Sequence, residues 1–145
     1  MKLNSEKSLT FEAHSTDYQS TDALGDLVKN HFFFLKVGPE LTFRFREAVW
    51  ALAAIEDQLD VDTPSNIRDV IADQMDAHPE NWQGYYSGTD DELHILKTYS
   101  YSDRIRYYWT SDAAQGAVAV LMNALQGKSI PLPLFRQHLP DAAEF

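Results

Sequence analysis

Two short stretches of this 145-residue sequence carry residue types that could do chemistry. The first is Lys36-Val37-Gly38-Pro39. A glycine between a strand end and a helix start leaves backbone N–H groups beside the positive end of the helix dipole, an arrangement that binds phosphate. Lys36 would add a point charge, so Lys36 and Gly38 are the phosphate-binding candidates. The same residues also suit an ordinary strand-to-helix turn with Lys36 in water, and a single glycine does not separate the two. The second stretch, HSTDYQ, holds His14 and Asp17. A histidine with a carboxylate binds metal or moves protons; alternatively Ser15, Thr16 and Asp17 bond to nearby backbone in a loop. A zinc site takes three protein ligands, and no third ligand lies close in sequence, so neither a metal nor a catalytic residue is assigned to this chain.

A third stretch, YSDRIRYYW (101–109), mixes two arginines with aromatic rings. On a helix Arg104 and Tyr108 stand four apart and can stack. Such mixtures are enriched at protein interfaces, which makes Arg104, Arg106, Tyr108 and Trp109 interface candidates. An internal seam, with the arginines paired to acids of residues 61–98, is equally open, and contact with a substrate is the lesser alternative. Asp90, Asp91 and His94 have metal-ligand spacing, but acids in a first helical turn are favoured by the dipole and read as a solvated helix start. The sequence has no P-loop, HExxH, GxSxG or dinucleotide fingerprint.

These residues need elements to position them. Leu9, Phe11 and Ala13 alternate with polar neighbours, as in a short strand ending near His14. Ser20 or Thr21 caps a helix with Ala23, Leu24, Leu27 and Val28 on one face. Phe32-Phe33-Phe34-Leu35 is apolar on both sides, which predicts a buried parallel strand. Pro39 suits the first turn of a helix reaching about Leu59, with Phe45, Val49, Leu52, Ile55 and Leu59 at helical spacing. Beyond it only helices are predicted: one capped at Thr63-Pro64 and stopped by His78-Pro79, one over 90–97, one from Ser102 to Trp109, one from Ser111 to Leu125, and a last turn from Pro131 to Leu139. The class is α/β. A closed barrel of strand–helix units needs on the order of 250 residues, so two strands here are a barrel end or are covered in some other way.

Bulk properties narrow the function. Net charge is −10, which opposes binding to a phosphate backbone and argues against nucleic acid. Residues 61–98 carry eight acids against two bases, whereas 99–145 carry four of each. With no cysteine there is no disulfide framework or thiolate chemistry. Apolar runs fall far short of the ~20 residues that span a bilayer, and MKLNSEKSLT lacks the apolar stretch of a signal peptide. A cytoplasmic protein without membrane contact is expected.

Together FEAHSTDYQ (11–19), HFFFLKVGPELTFRFREA (31–48), YSDRIRYYW (101–109) and IPLPLFRQHLP (130–140) resemble the GatZ/KbaZ family, the Z-type, non-catalytic subunits of D-tagatose-1,6-bisphosphate aldolase. The resemblance implies a TIM-barrel-like fold with a helical C-terminal extension. It also implies a zinc-dependent class II aldolase catalytic subunit as partner, with the zinc held by that partner and no cofactor in this chain. The pathway implied is hexose-phosphate breakdown, galactitol catabolism included. On this mapping HSTDYQ and KVGP fall at the ends of late barrel strands, which favours a sugar phosphate at Gly38. Phe33-Phe34, Arg44, Arg136 and His138 depart from the family pattern. The expectation is a C-terminal fragment or shortened paralogue: residues 1–60 as the last βα units of the barrel, 61–145 as a helical subdomain. Such a chain would stabilise an aldolase complex without catalysing on its own. The alternatives are a stand-alone sugar-phosphate-binding or regulatory module, or an inactive remnant. Two open strand edges also predict self-association.

Overall fold

The computed structural model describes residues 10–144. Leu9 and the rest of the N-terminal stretch lie outside the described residues. By internal contacts the chain forms two compact units, residues 1–41 and 42–145.

The described part of the first unit is strand β1 (Phe11–Ala13), helix α1 (Thr21–Lys29) and strand β2 (Phe32–Leu35). The Ser20 side chain accepts from the Ala23 N–H at 3.2 Å and caps α1 as expected. His31 takes a left-handed backbone (φ 66°), which turns the chain from α1 into β2. The strands pair in parallel, Phe11 with Phe32, Glu12 with Phe34 and Ala13 with Leu35. Phe33 is skipped in this register, so β2 carries one extra residue and its side-chain alternation breaks. Phe33 and Phe34 are 80% and 60% exposed. This corrects the prediction of a strand buried on both faces: within the described residues the sheet has two strands, too few to cover all three rings. In this unit Thr16 is the one described residue that is fully buried.

The second unit holds five helices among the described residues. They are α2 (Glu40–Glu56, whose first two residues fall in the first unit), α3 (Ile67–Ala77), α4 (Asp90–Tyr99), α5 (Asp112–Leu125) and α6 (Leu132–His138). Three of them, α2, α3 and α5, supply residues to its core. Val49, Trp50 and Ala53 of α2 pack with Ile67, Ile71 and Met75 of α3, Ile105, Tyr108, and Ala114, Ala117 and Leu121 of α5. The contact boundary therefore falls at 41/42, ahead of the expected 60, because the buried face of α2 belongs to the helical core. Ser111 caps α5 through the Ala114 N–H, and Thr89 and Glu92 form a reciprocal capping box at the start of α4.

Three buried charges reset the predicted boundaries. Arg46 and Asp103 are buried and joined by a 2.8 Å Nε–Oδ1 bond. Arg46 thus takes a core position on α2, while Phe45, expected on the buried stripe, is partly exposed and packs edge-on to Trp109. Glu56 is also buried, and its carboxylate accepts from the Ser65 N–H at 3.0 Å and the Ser65 hydroxyl at 2.5 Å. Ser65 is held out of helical geometry this way, so α3 starts at Ile67 and not at Pro64. Residues 104–107 form a 3-10 turn and not the expected α-helix. Asp103, in a left-handed conformation (φ 45°), turns its side chain to Arg46 and offers no cap.

Candidate functional site

The loop after β1 folds back onto the loop after β2. Thr16 donates to the Lys36 carbonyl twice, from its N–H at 3.1 Å and its hydroxyl at 3.0 Å. Ser15 and Tyr18 both have positive φ, 56° and 59°, a backbone state that needs such outside bonds to hold it. With the loop fixed, Asp17 lies over the start of α2, where its Oδ1 accepts from the Gly38 N–H at 2.7 Å and the Glu40 N–H at 3.0 Å. Glu40 answers by accepting the Tyr18 N–H at 2.7 Å. The two loops are thus tied by reciprocal carboxylate–amide bonds.

This arrangement uses the amides that the sequence singled out for phosphate. An anion does sit at the helix start, as the dipole favours, but it is the carboxylate of Asp17. A Cβ at Gly38 would meet Asp17 Oδ2 at 3.0 Å, so a side chain there would make the carboxylate give by a few tenths of an ångström.

Lys36 and His14 are engaged elsewhere. Both reach Glu12 Oε1, each at 2.7 Å. The Lys36 ammonium holds the Glu12 carboxyl below the usual carboxylate range, with His14 adding a smaller effect. Lys36 is therefore a partner of Glu12, and His14 is directed to Glu12 while Asp17 is directed to backbone. Among the described residues no three His, Asp or Glu are grouped as metal ligands would be.

The four residues of the aromatic stretch differ in burial. Tyr108 is buried, and its hydroxyl donates to the His78 carbonyl; burial raises the phenol above its ordinary pKa. Trp109 is half-buried and packs edge-on to Phe45 and Trp50, with ring centres 5.0 and 5.9 Å away. Arg104 and Arg106 are half-buried: the Arg104 Nε is buried without a partner, and Arg106 donates to the Ser102 carbonyl at 3.2 Å. The Arg104 guanidinium lies 3.2 Å from the centre of the Tyr85 ring and not on Tyr108, because the 3-10 turn changes which neighbours share a face. Both arginines reach the Tyr107 hydroxyl, Arg106 at 2.9 Å and Arg104 at 3.4 Å. The Arg106 bond is the main cause that lowers the Tyr107 phenol. Neither arginine pairs with an acid of residues 61–98 among the described ion pairs.

Glu12, Glu40, Arg46 and Glu56 all hold structure together here and were not singled out by sequence. Glu12 alternates with Phe11 and Ala13 and could have been found as a strand residue one step from His14. Arg46 stands at helical spacing from Phe43, Val49 and Trp50, but a charge in an apolar stripe reads as an interruption until its partner is known.

A cavity of about 230 Å³ in the second unit is lined by residues including Trp50, Arg68, Asp76, His94 and Lys97. Its cations are committed: Arg68 bonds Asp57 and the Trp50 carbonyl, and Lys97 bonds Asp76. No helix among the described residues is long and apolar enough to cross a membrane.

Comparison with known proteins adds two findings. Residues 1–145 match the family described as D-tagatose-1,6-bisphosphate aldolase subunit GatZ/KbaZ-like. A solved structure from Sinorhizobium meliloti 1021, described as a probable tagatose 6 phosphate kinase, is 42% identical with a TM-score of 0.86. The similarity covers 98% of this chain and 37% of that one.

Proposed function

The chain belongs to the D-tagatose-1,6-bisphosphate aldolase subunit GatZ/KbaZ-like family, and from that premise we propose that it is part of a non-catalytic, stabilising subunit of a class II aldolase acting on tagatose 1,6-bisphosphate in the cytoplasm. The observation that carries this reading is the family match over the whole chain. The two parallel strands belong, on this reading, to a TIM-like barrel whose other strands cover Phe33 and Phe34. The match to 37% of a much longer solved chain supports it.

The side chains support assigning the chemistry to a partner. A class II aldolase uses a metal to stabilise the enolate left when the carbon–carbon bond breaks. His14 and Asp17, the residues of this chain best placed by type to bind one, are bonded to Glu12 and to backbone amides. On this reading the zinc belongs to the catalytic subunit. The descriptions of the family and of the solved relative share a tagatose phosphate, which favours a sugar phosphate as ligand. At the Gly38 junction that phosphate has to displace Asp17 from the two amides.

Co-purification with a class II aldolase catalytic subunit tests the complex, and the expected outcome is a more active and longer-lived catalytic subunit when this chain is bound. Cleavage of tagatose 1,6-bisphosphate by the purified chain alone, or one zinc per chain, would overturn the reading. Phosphate-dependent stabilisation tests the ligand: Gly38→Val should abolish it and His14→Ala should leave it largely intact.

A further inference from the structure

The described cations of this acidic chain are mostly matched with acids. Lys29, Lys36, Arg44, Arg46, Arg68 and Lys97 each have a carboxylate within ion-pair distance. Arg104, Arg106, Lys128 and Arg136 appear in none of the described ion pairs, and of these Arg104 and Arg106 converge on one group, the Tyr107 hydroxyl, with Arg106 also donating to the Ser102 carbonyl. Two like charges brought to one neutral oxygen repel each other, and in a chain of net charge −10 acids are plentiful. An oxyanion from outside the molecule would complete this cluster. None of the described cavities is lined by either arginine, whereas a small-molecule site is concave. Around the arginines stand Tyr85 and Tyr107, 66% and 44% exposed. Exposed Tyr with Arg is the composition of a protein interface.

The same unit carries the opposite charge without a partner. Asp90 and Asp91 open α4, are exposed, and take part in none of the described ion pairs; the neighbouring Glu92 is occupied by the Thr89 capping box. The 3-10 turn of Arg104 packs against α4, so cationic and anionic groups lie on adjoining elements. A unit with unmatched charges of both signs is suited to pairing with itself about a twofold axis, where each copy's cations meet the other's acids.

We propose that the face built from Tyr85, Arg104, Arg106 and Tyr107 docks a second copy of this chain, its guanidiniums taking the Asp90 and Asp91 carboxylates of that copy. Docking fills the arginines' open donors and covers the exposed tyrosine rings. It is independent of the aldolase reading.

Sedimentation velocity over a wide range of protein and salt concentration tests this. The wild-type chain should form a dimer that added salt weakens. Arg104→Glu/Arg106→Glu should weaken it by roughly tenfold or more, as loss of an arginine hot spot does, and so should Asp90→Lys/Asp91→Lys. Mixing the two variants should restore a dimer containing one of each. Should the arginine variant fail to fold, Asp90→Asn/Asp91→Asn on the exposed first turn gives the same test, with weaker dimerisation expected. A wild-type monomer at every concentration overturns the proposal. So does association that none of these variants changes, as it would be if copies met through Phe33 and Phe34. Loss in each variant alone without restoration on mixing overturns it in favour of a different acidic partner.

Discussion

Residues 10–41 and residues 42–144 hold themselves together by different means. The first set has one fully buried residue, Thr16, and exposes Phe33 and Phe34; its order comes from polar bonds at the strand ends, from Thr16 to Lys36, Asp17 to Gly38 and Glu40, and Lys36 to Glu12. The second buries eleven apolar residues in one core and places an ion pair within it. Apolar burial contributes roughly 25 cal/mol per Å², whereas an exposed hydrogen bond or ion pair contributes about 1 kcal/mol or less. The helical unit therefore carries the chain's stability, and the strand ends specify the arrangement of two loops without adding much to it.

The largest effect expected on this contrast is at Arg46. Truncating it to alanine leaves the Asp103 carboxylate buried and unpaired, which costs about 3–5 kcal/mol. Urea unfolding followed by tryptophan fluorescence should show the helical unit destabilised by that amount. Replacing both partners, Arg46→Met with Asp103→Leu, should recover most of it, because the Arg46 Nη2 and Asp103 Oδ2 atoms are already buried without a partner. A double variant no better than Arg46→Ala would show that the pair contributes more than desolvation alone accounts for.

Trp109 comes next. Trp109→Ala should cost about 3 kcal/mol, since it removes the ring that packs on both Phe45 and Trp50. Trp109→Phe should keep most of the packing and lose little, because the indole N–H is buried without a partner. An unchanged melting midpoint for Trp109→Ala would remove this ring from the seam.

Much of the helical unit was legible in the sequence because it follows local rules. The Ser111 cap, the Ile67–Ile71–Met75 stripe and the stop at His78-Pro79 each depend on neighbours within a few residues, and each stands where expected. What was not legible depends on distant partners. Arg46 is read correctly only with Asp103, 57 residues away, and the late start of α3 only with the Ser65–Glu56 bond. At the strand ends the residue types were legible and their pairing was not. Gly38 and Asp17 were both singled out, for phosphate and for metal, yet they bond to each other across 21 residues. Lys36 is drawn to Glu12, and nothing local in the sequence says so.

Asp17 sharpens the contrast from the other side. Asp17→Ala removes the acceptor of two amides at the start of α2, a capping loss of about 1 kcal/mol. Amide hydrogen exchange should quicken at Gly38 and Glu40 while global unfolding hardly moves. Equal destabilisation of the helical core by this change would mean that the two units unfold as one.

The smallest expected effect is a pH dependence confined to the strand ends. The folded-state pKa of Glu12 is depressed, chiefly by the hydrogen bond from Lys36 and then by the charges of Lys36 and His14. A depressed carboxylate binds its proton less readily when folded than when unfolded, so the unfolded chain takes up protons first as pH falls. The stabilisation is present above the unfolded carboxylate pKa and is lost as pH falls through the lower, folded value. Below that window Glu12 is neutral, and Lys36 and His14 lose their shared acceptor. Both partners stand well in solvent, so screening keeps the effect small. Amide shifts of Ala13 and Lys36, which share the hydrogen bond from the Lys36 N–H to the Ala13 carbonyl, should follow a single acid titration below the usual carboxylate range. Glu12→Gln should abolish that titration and leave the midpoint of the helical unit where it was. A titration that persists in Glu12→Gln would assign it to another acid and free Lys36 to act on a ligand.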